Sequence, residues 1–132
     1  MKGIIHVSGK RKSSIARATL RPGKGVVRVN HVNLNVYHQE LPKMKIMEPL
    51  ILAGPVSNNV NIDVTVRGGG YMSQAEASRL VIARALAQHD KKLEKTFLEY
   101  DRHLMVADVR RKETKKPNRH GKARAKTQKS YR

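Results

Sequence analysis

The chain ends in a strongly basic segment that cannot contribute to a hydrophobic core. Residues 110–132 contain eleven Lys or Arg against a single acid, Glu113, and no Val, Ile, Leu, Met or Phe. Nothing offsets the entropy lost when such a segment is ordered alone. The core must therefore come from residues 1–109, and we expect the segment to need a polyanion as its partner.

Both parts of the chain are basic, which indicates that the same anion touches both. The 132 residues carry 28 Lys and Arg against 10 Asp and Glu, a formal net charge of +18. This length supports one domain of roughly 100 residues with an extension. We therefore predict a globular domain over 1–109 and an extended basic tail over 110–132.

Composition excludes several classes of protein. The absence of cysteine rules out a disulfide scaffold and thiolate metal sites. The first apolar run is too short for a signal peptide, and no run reaches the roughly 20 apolar residues of a membrane span. We expect a cytoplasmic protein with no membrane contact.

Alternating apolar residues predict strands in the first half of the chain. Ala16, Ala18 and Leu20 alternate with polar residues, two of which are arginines. Residues 22–25 have turn chemistry and precede the apolar run 26–29, which predicts a hairpin of two antiparallel strands.

Two further segments flank this predicted hairpin. A weak alternation over residues 4–8 ends at 9–12, a glycine and three bases, which we interpret as an exposed loop. Residues 60–66 alternate without interruption and predict the clearest strand, which leads into Gly68-Gly69-Gly70.

The remaining pattern predicts helices. Pro42 and Pro49 are each placed to open a short helix. A longer helix is expected from Ser73, whose capping box includes Glu76, to about residue 89. Arg79 and Arg84 lie near the borders of its apolar side, so their guanidinium groups are expected to point outward.

A second helix is expected over residues 91–100, after which the run 104–106 closes the core. Three or four strands followed by helices indicate an α+β domain with a mixed sheet and helices on one face.

The glycines at 68–70 do not predict a dinucleotide site. They approach the GxGxxG pattern, but Ser73 stands where the last glycine would be and no later strand supplies a ribose-binding acid. The glycines allow a close backbone approach, either to the sheet or to a phosphate. From sequence both interpretations stay open.

No residue pattern predicts catalysis, a metal or a cofactor. The six histidines have no HxH or HxxxH spacing. Asp63, Asp101 and Asp108 lie beside arginines or a strand end, where ion pairs are expected, and no acid pair suits general acid/base chemistry. We therefore predict a protein that is not an enzyme.

Nucleic acid is the remaining partner, and composition narrows its kind. Only five aromatic residues are present, too few for a platform that stacks single-stranded bases. Phosphate contacts should dominate, and neutralising about ten phosphates would give a salt slope near −7 to −9. Recognition would then depend on the shape of a folded RNA.

Three separated motifs resemble one known family across nearly the whole chain. They are GKRKSSIARA at 9–18, GGGYMSQAEASRLVIARAL at 68–86 and ARAKTQKSYR at 123–132. Together they resemble the S-nine family of small-subunit ribosomal proteins, and the ending is similar to its archaeal branch. Ser73 departs from the family, many of whose members have glycine there.

The resemblance implies a fold like the second domain of ribosomal protein S-five, seated on ribosomal RNA in the head of the small subunit beside neighbouring head proteins. It also implies that the tail reaches the peptidyl-site tRNA, which Arg132 would contact with Lys129, Ser130 and Tyr131 beside it. We assign rRNA binding to basic residues of the domain and tail, namely Lys10, Arg11, Lys12, Arg17, Arg67, Arg79, Arg110, Arg111, Lys112, Lys115, Lys116, Arg119, Lys122, Arg124 and Lys126.

Other classes share part of this signature. A DNA-compacting architectural protein would have the same charge but would also bind duplex DNA. An RNA-processing ribonucleoprotein subunit of related fold would bind a different RNA. An NTPase is a remote third possibility, disfavoured by the absence of an intact phosphate loop.

Overall fold

The computed structural model describes residues 3–126 and 130–132. Over these residues the chain forms a five-stranded sheet with α-helices packed against it. The strands are β1 (Ile5–Arg11), β2 (Ser14–Pro22), β3 (Val27–Val29), β4 (Val32–Asn33) and β5 (Val60–Arg67), and the helices are α1 (Glu40–Ala53), α2 (Tyr71–His89) and α3 (Lys92–Tyr100). Short 3-10 helices cover Leu34–Val36, Gly54–Asn59 and Arg102–Leu104.

The sheet has the order β1-β2-β5-β3-β4 and contains both kinds of strand pairing. β5 is antiparallel to β2 and parallel to β3, while β1 and β4 form antiparallel edges. The prediction of an α+β domain with a mixed sheet is confirmed.

The predicted hairpin between β2 and β3 was wrong, because β5 lies between these strands. The turn that follows β2 instead bonds to Asn59, just before β5, and to the start of β5: the Gly23 N–H donates to Asn59 O at 3.0 Å, and the Gly25 N–H donates to Val60 O at 3.1 Å. Parallel pairing places Val29 opposite Val64 on the buried face. Burial of this apolar pair favours the observed register.

One face of the sheet is the core. Ala16 and Ala18 in β2 lie opposite Val66 and Val64 in β5, and all four are buried. Helix α2 packs on this face against β1, β2 and β5, and α1 packs against α2. Mostly polar residues, with Ile15 as an exception, occupy the alternate positions of β2 and β5, and this other face of the sheet is open to solvent.

The predicted loop at residues 9–12 was also wrong in its position. β1 continues through Arg11, and the turn to β2 consists of Lys12 and Ser13. Gly9 faces α2, where an added Cβ would lie 2.8 Å from Leu80 Cδ2. This glycine allows the helix to approach the strand closely and does not end the strand.

The helices differ from the predictions in two places. Pro42 lies in the first turn of α1 as expected, but Pro49 lies inside the same helix and is buried. Burial of the proline ring helps to offset the missing backbone hydrogen bond. Helix α2 ends at His89 as predicted but begins at Tyr71, with Gly70 as its N-cap.

The predicted capping box at Ser73 does not form, because α2 begins before Ser73 and its N-cap is Gly70, which has no side chain to cap the helix. Glu76 is engaged elsewhere, because its Oε2 accepts a 2.6 Å hydrogen bond from Arg11 Nε. The second predicted helix is confirmed as α3, which buries Leu93 and Phe97, and Leu104 closes the core beneath it.

Candidate nucleic-acid interface

The open face of the sheet gathers several of the predicted RNA-binding residues. In register, Lys10 of β1 and Arg67 of β5 lie on either side of Ile15 in β2. Arg17 stands two residues further along β2, on the same face. Lys10, Arg17 and Arg67 are exposed, and none has a carboxylate within ion-pair distance in the described part of the chain. We call these three residues the sheet-face cluster.

Arginines outside our predicted set extend this face. Arg21 continues the exposed side of β2, and Arg28 of β3 lies opposite Asp63 of β5, with a 3.8 Å ion pair. The alternation of apolar and polar residues along β2 could have identified Arg21 as a residue of the exposed face. Arg28 could not be placed from sequence, because its position depends on the parallel pairing of β3 with β5.

A second basic region lies where the tail leaves the domain. The turn residues Lys12 and Ser13 line a cleft together with Arg110, Arg111 and Lys112. Lys12 is exposed and adopts a positive φ of 52°. The fold therefore unites predicted residues separated by about a hundred positions, and we call Lys12 with residues 110–112 the turn cluster.

Two of the predicted RNA-binding residues are instead held inside the domain. The Arg11 side chain is 12% exposed; its Nη2 lies 3.4 Å from Asp108 Oδ2, in addition to its hydrogen bond with Glu76. Arg79 is 7% exposed. Its Nη1 and Nη2 both donate to Asp101 Oδ2 at 3.0 Å, and Nη2 lies 2.5 Å from Glu48 Oε2.

The prediction that Arg79 points outward was therefore wrong. Helical periodicity places a residue on the helix surface, but it does not show that α1 and the segment after α3 pack over that surface. Arg84 is also engaged within the domain, because its Nε donates to Met105 O at 3.0 Å and its Nη1 donates to Ser8 O at 3.1 Å. These arginines tie elements of the domain together.

The three aspartates that were expected to form ion pairs do so. Asp63 pairs with Arg28, Asp101 with Arg79, and Asp108 with Arg110 at 2.7 Å. Side-chain and backbone hydrogen bonds from Arg110 hold the pKa of Asp108 well below its usual range, and the same contact raises the pKa of Arg110. Asp108 thereby fixes the first residue of the tail against the domain.

Asp101 experiences opposing influences. Desolvation is the largest single influence on its pKa and raises it. Hydrogen bonds from the His103 N–H and from Arg79 act in the opposite direction, and together they lower the pKa of Asp101 below the ordinary value. Both aspartates therefore carry their charge at neutral pH and hold it in fixed geometry.

The glycines after β5 approach the sheet. Gly68 and Gly69 have φ values of 79° and 69°. An added Cβ at Gly68 would lie 2.6 Å from Ser13 O, and one at Gly69 would overlap Ser14 Oγ. Ser14 is fully buried and donates to Gly68 O at 2.7 Å. These two glycines therefore allow the backbone after β5 to lie close to the β1–β2 turn.

The described part of the tail is mostly exposed and has neither helix nor strand. Its predicted rRNA-binding side chains beyond the turn cluster are exposed at Lys115, Lys116, Lys122, Arg124 and Lys126, and Arg119 is half-buried. Ser130, Tyr131 and Arg132 are also exposed, whereas Lys129 lies outside the described residues. Contact of this end with tRNA stays a prediction.

Among residues 3–126 and 130–132, no group of three His, Asp or Glu side chains is arranged to hold a metal ion. None of the helices within these residues combines the length and apolarity that a bilayer crossing requires.

Comparison with known proteins identifies similar chains over nearly the full length. A family model described as ribosomal protein S9/S16 matches residues 9–132. The chain is 50% identical over 131 residues to small ribosomal subunit protein uS9 of Desulfurococcus amylolyticus, covering 98% of this chain and 93% of that protein. It is 45% identical over 132 residues to the protein of that name from Methanococcus maripaludis strain C7, covering 98% of each.

Proposed function

The chain belongs to the ribosomal protein S9/S16 family, and we propose that it is a structural protein of the small ribosomal subunit, seated on ribosomal RNA in the subunit head. The observation that carries this proposal is the family match, which runs through the domain and the basic tail to residue 132. Two archaeal relatives that match nearly end to end are named as small-subunit proteins. A ribosomal role implies a cytoplasmic location and a structural rather than an enzymatic task.

The domain binds rRNA phosphates through the sheet-face cluster and the turn cluster. Both clusters consist of exposed cations, and phosphate contacts position a basic protein on RNA without reading its sequence. Arg11 and Arg79 are left out of this surface, because their side chains are largely buried inside the domain, where carboxylates engage them. Their task is to hold β1, α1 and α2 together.

The fold is proposed to be of the type found in the second domain of ribosomal protein S-five. The mixed sheet with helices on one face supports this assignment. Neighbouring proteins of the subunit head are proposed as further partners.

The tail carries the second part of the proposal. Residues 110–126 bind rRNA, and residues 129–132 reach the peptidyl-site tRNA, where Arg132 makes one charge-assisted contact. The exposed Ser130, Tyr131 and Arg132 are compatible with such a contact. Loss of one hydrogen bond to a charged group costs about 1.5–3 kcal/mol at most, so tRNA retention should weaken while subunit assembly continues.

Charge removal on the sheet face tests the rRNA-binding surface. We expect the triple variant Lys10→Gln, Arg17→Gln and Arg67→Gln to bind a transcribed head fragment of small-subunit rRNA with a salt slope shallower by about 2 to 3. Filter binding over a series of salt concentrations measures this slope.

The matched control removes three exposed lysines from and beside α3, with Lys91→Gln, Lys92→Gln and Lys95→Gln. This variant has the same net charge but leaves the sheet face intact. If the salt slope became equally shallow in the two variants, only total charge would matter, and this result would contradict a defined rRNA-binding surface. Equal competition by duplex DNA at matched salt would instead support an architectural DNA-binding protein.

A further inference from the structure

The tail contains a closed loop between residues 113 and 126. Arg124 Nε donates to Glu113 Oε1 and Oε2 at 2.8 and 3.0 Å, and Arg124 Nη2 also contacts Oε1. The Lys116 N–H donates to Lys122 O at 2.9 Å, and the His120 N–H donates to Ala125 O at 2.8 Å. The ion pair brings the two ends of the segment together, and the two backbone hydrogen bonds connect residues within it.

The sequence supports this reversal of direction locally. Asn118 has a φ of 55°, a conformation that asparagine tolerates, and it follows Pro117, whose fixed φ suits a turn. An antiparallel bridge between Arg119 and Lys126 continues the closure. Arg119 Nη1 further donates to Arg124 O at 3.3 Å.

The loop contains one acidic side chain among several basic ones. Glu113 is the single acid of residues 110–132, and its carboxylate is engaged by Arg124. The side-chain hydrogen bond from Arg124 is the largest cause that lowers the pKa of Glu113. Lys115, Lys116 and Lys122 are exposed, and in the described part of the chain none of them lies within ion-pair distance of a carboxylate. An acid inside a polyanion-binding segment opposes binding by simple repulsion, whereas this one closes the loop.

We propose that residues 113–126 act as a preformed loop that binds closely spaced phosphates of a folded RNA, with the Glu113–Arg124 ion pair holding the cations in place. This inference rests on the rRNA-binding role proposed above and adds a requirement for loop geometry. A preformed loop loses less conformational entropy on binding than a flexible chain does. An RNA strand without fixed structure can adapt to either form, so it gains nothing from the closure.

Neutralising the acid distinguishes geometry from charge by the sign of its effect. If charge alone governed binding, Glu113→Gln would bind more tightly, since the tail becomes more positive. With a preformed loop, we expect Glu113→Gln to bind the folded head fragment of small-subunit rRNA about three- to tenfold more weakly. Binding to poly(U) should be unchanged or tighter.

Two further variants complete the experiment. Glu99→Gln removes one acid from the exposed surface of α3, far along the chain from the loop, and should not weaken binding. The exchange Glu113→Arg with Arg124→Glu restores an ion pair at unchanged net charge and should recover most of the affinity. The same filter-binding series on full-length protein measures all of them.

The outcomes separate this inference from the proposed function. Equal or tighter binding of folded RNA by Glu113→Gln would overturn the inference, as would failure of the exchanged pair to recover binding. If the wild-type protein did not prefer the folded fragment to poly(U), the rRNA-binding proposal would fail first, and the inference with it.

Discussion

At the scale of single residues, the atoms that lie against Gly68 and Gly69 after β5 leave no room for a larger residue there. Gly69 has a φ of 69°, and an added Cβ would overlap Ser14 Oγ. Sequence alone left two interpretations open, a phosphate site or a close packing contact. No local pattern could decide between them, because the atoms that decide lie about 55 residues away in the β1–β2 turn.

The effect of adding a methyl group at Gly69 follows from this packing. We expect Gly69→Ala to lower the free energy of unfolding by about 1–3 kcal/mol, since it combines a strained φ with a buried overlap. Gly3→Ala is the control, because an added Cβ there meets no atom within 4 Å. Urea unfolding of both variants measures the difference, and equal stability would contradict the packing role.

At the scale of elements, alternation and helical spacing predicted the existence of most strands and helices but not how they pair. β2, β5, α2 and α3 were placed from their apolar periods. The parallel neighbour of β5 could not be predicted, because pairing depends on the chain between β3 and β5, which includes α1. The same limit explains why Arg28 was missed and why Arg79, buried by its neighbours, was assigned to the surface.

The ion pairs between elements predict how stability depends on pH. Asp101 and Asp108 have folded-state pKa values below the ordinary value near 3.8. A lowered folded pKa means that their contribution is complete above the unfolded pKa and is lost as the pH falls through the folded one. We expect stability to be insensitive to these groups between pH 7 and about 5 and to fall below about pH 4.

The variant Asp108→Asn isolates one of these contributions. Its free energy of unfolding, measured by urea titration at each pH, should fall less steeply below about pH 4 than that of the wild type. An acid slope identical to that of the wild type would show that the contact of Asp108 with Arg110 and Arg11 does not stabilise the folded domain.

At the scale of the whole molecule, the first residues of the tail lie against the domain. Arg110 is held by Asp108, and Asp108 by Arg11 of β1, so the tail leaves the domain beside the β1–β2 turn. Composition led us to predict a basic tail over 110–132 but not the loop at 113–126. That loop is closed by an ion pair and backbone hydrogen bonds, so a search for apolar periodicity could not have found it.

We propose that the domain binds rRNA of the small-subunit head while the tail reaches the peptidyl-site tRNA. In-cell protein–RNA crosslinking followed by sequencing tests it most directly, with the wild type compared with a chain ending at Val109 and one lacking residues 130–132. We predict that all three crosslink to the rRNA of the small-subunit head and that both truncations lose the tRNA reads. Crosslinks spread over many RNAs, or tRNA reads that survive truncation, would contradict the account.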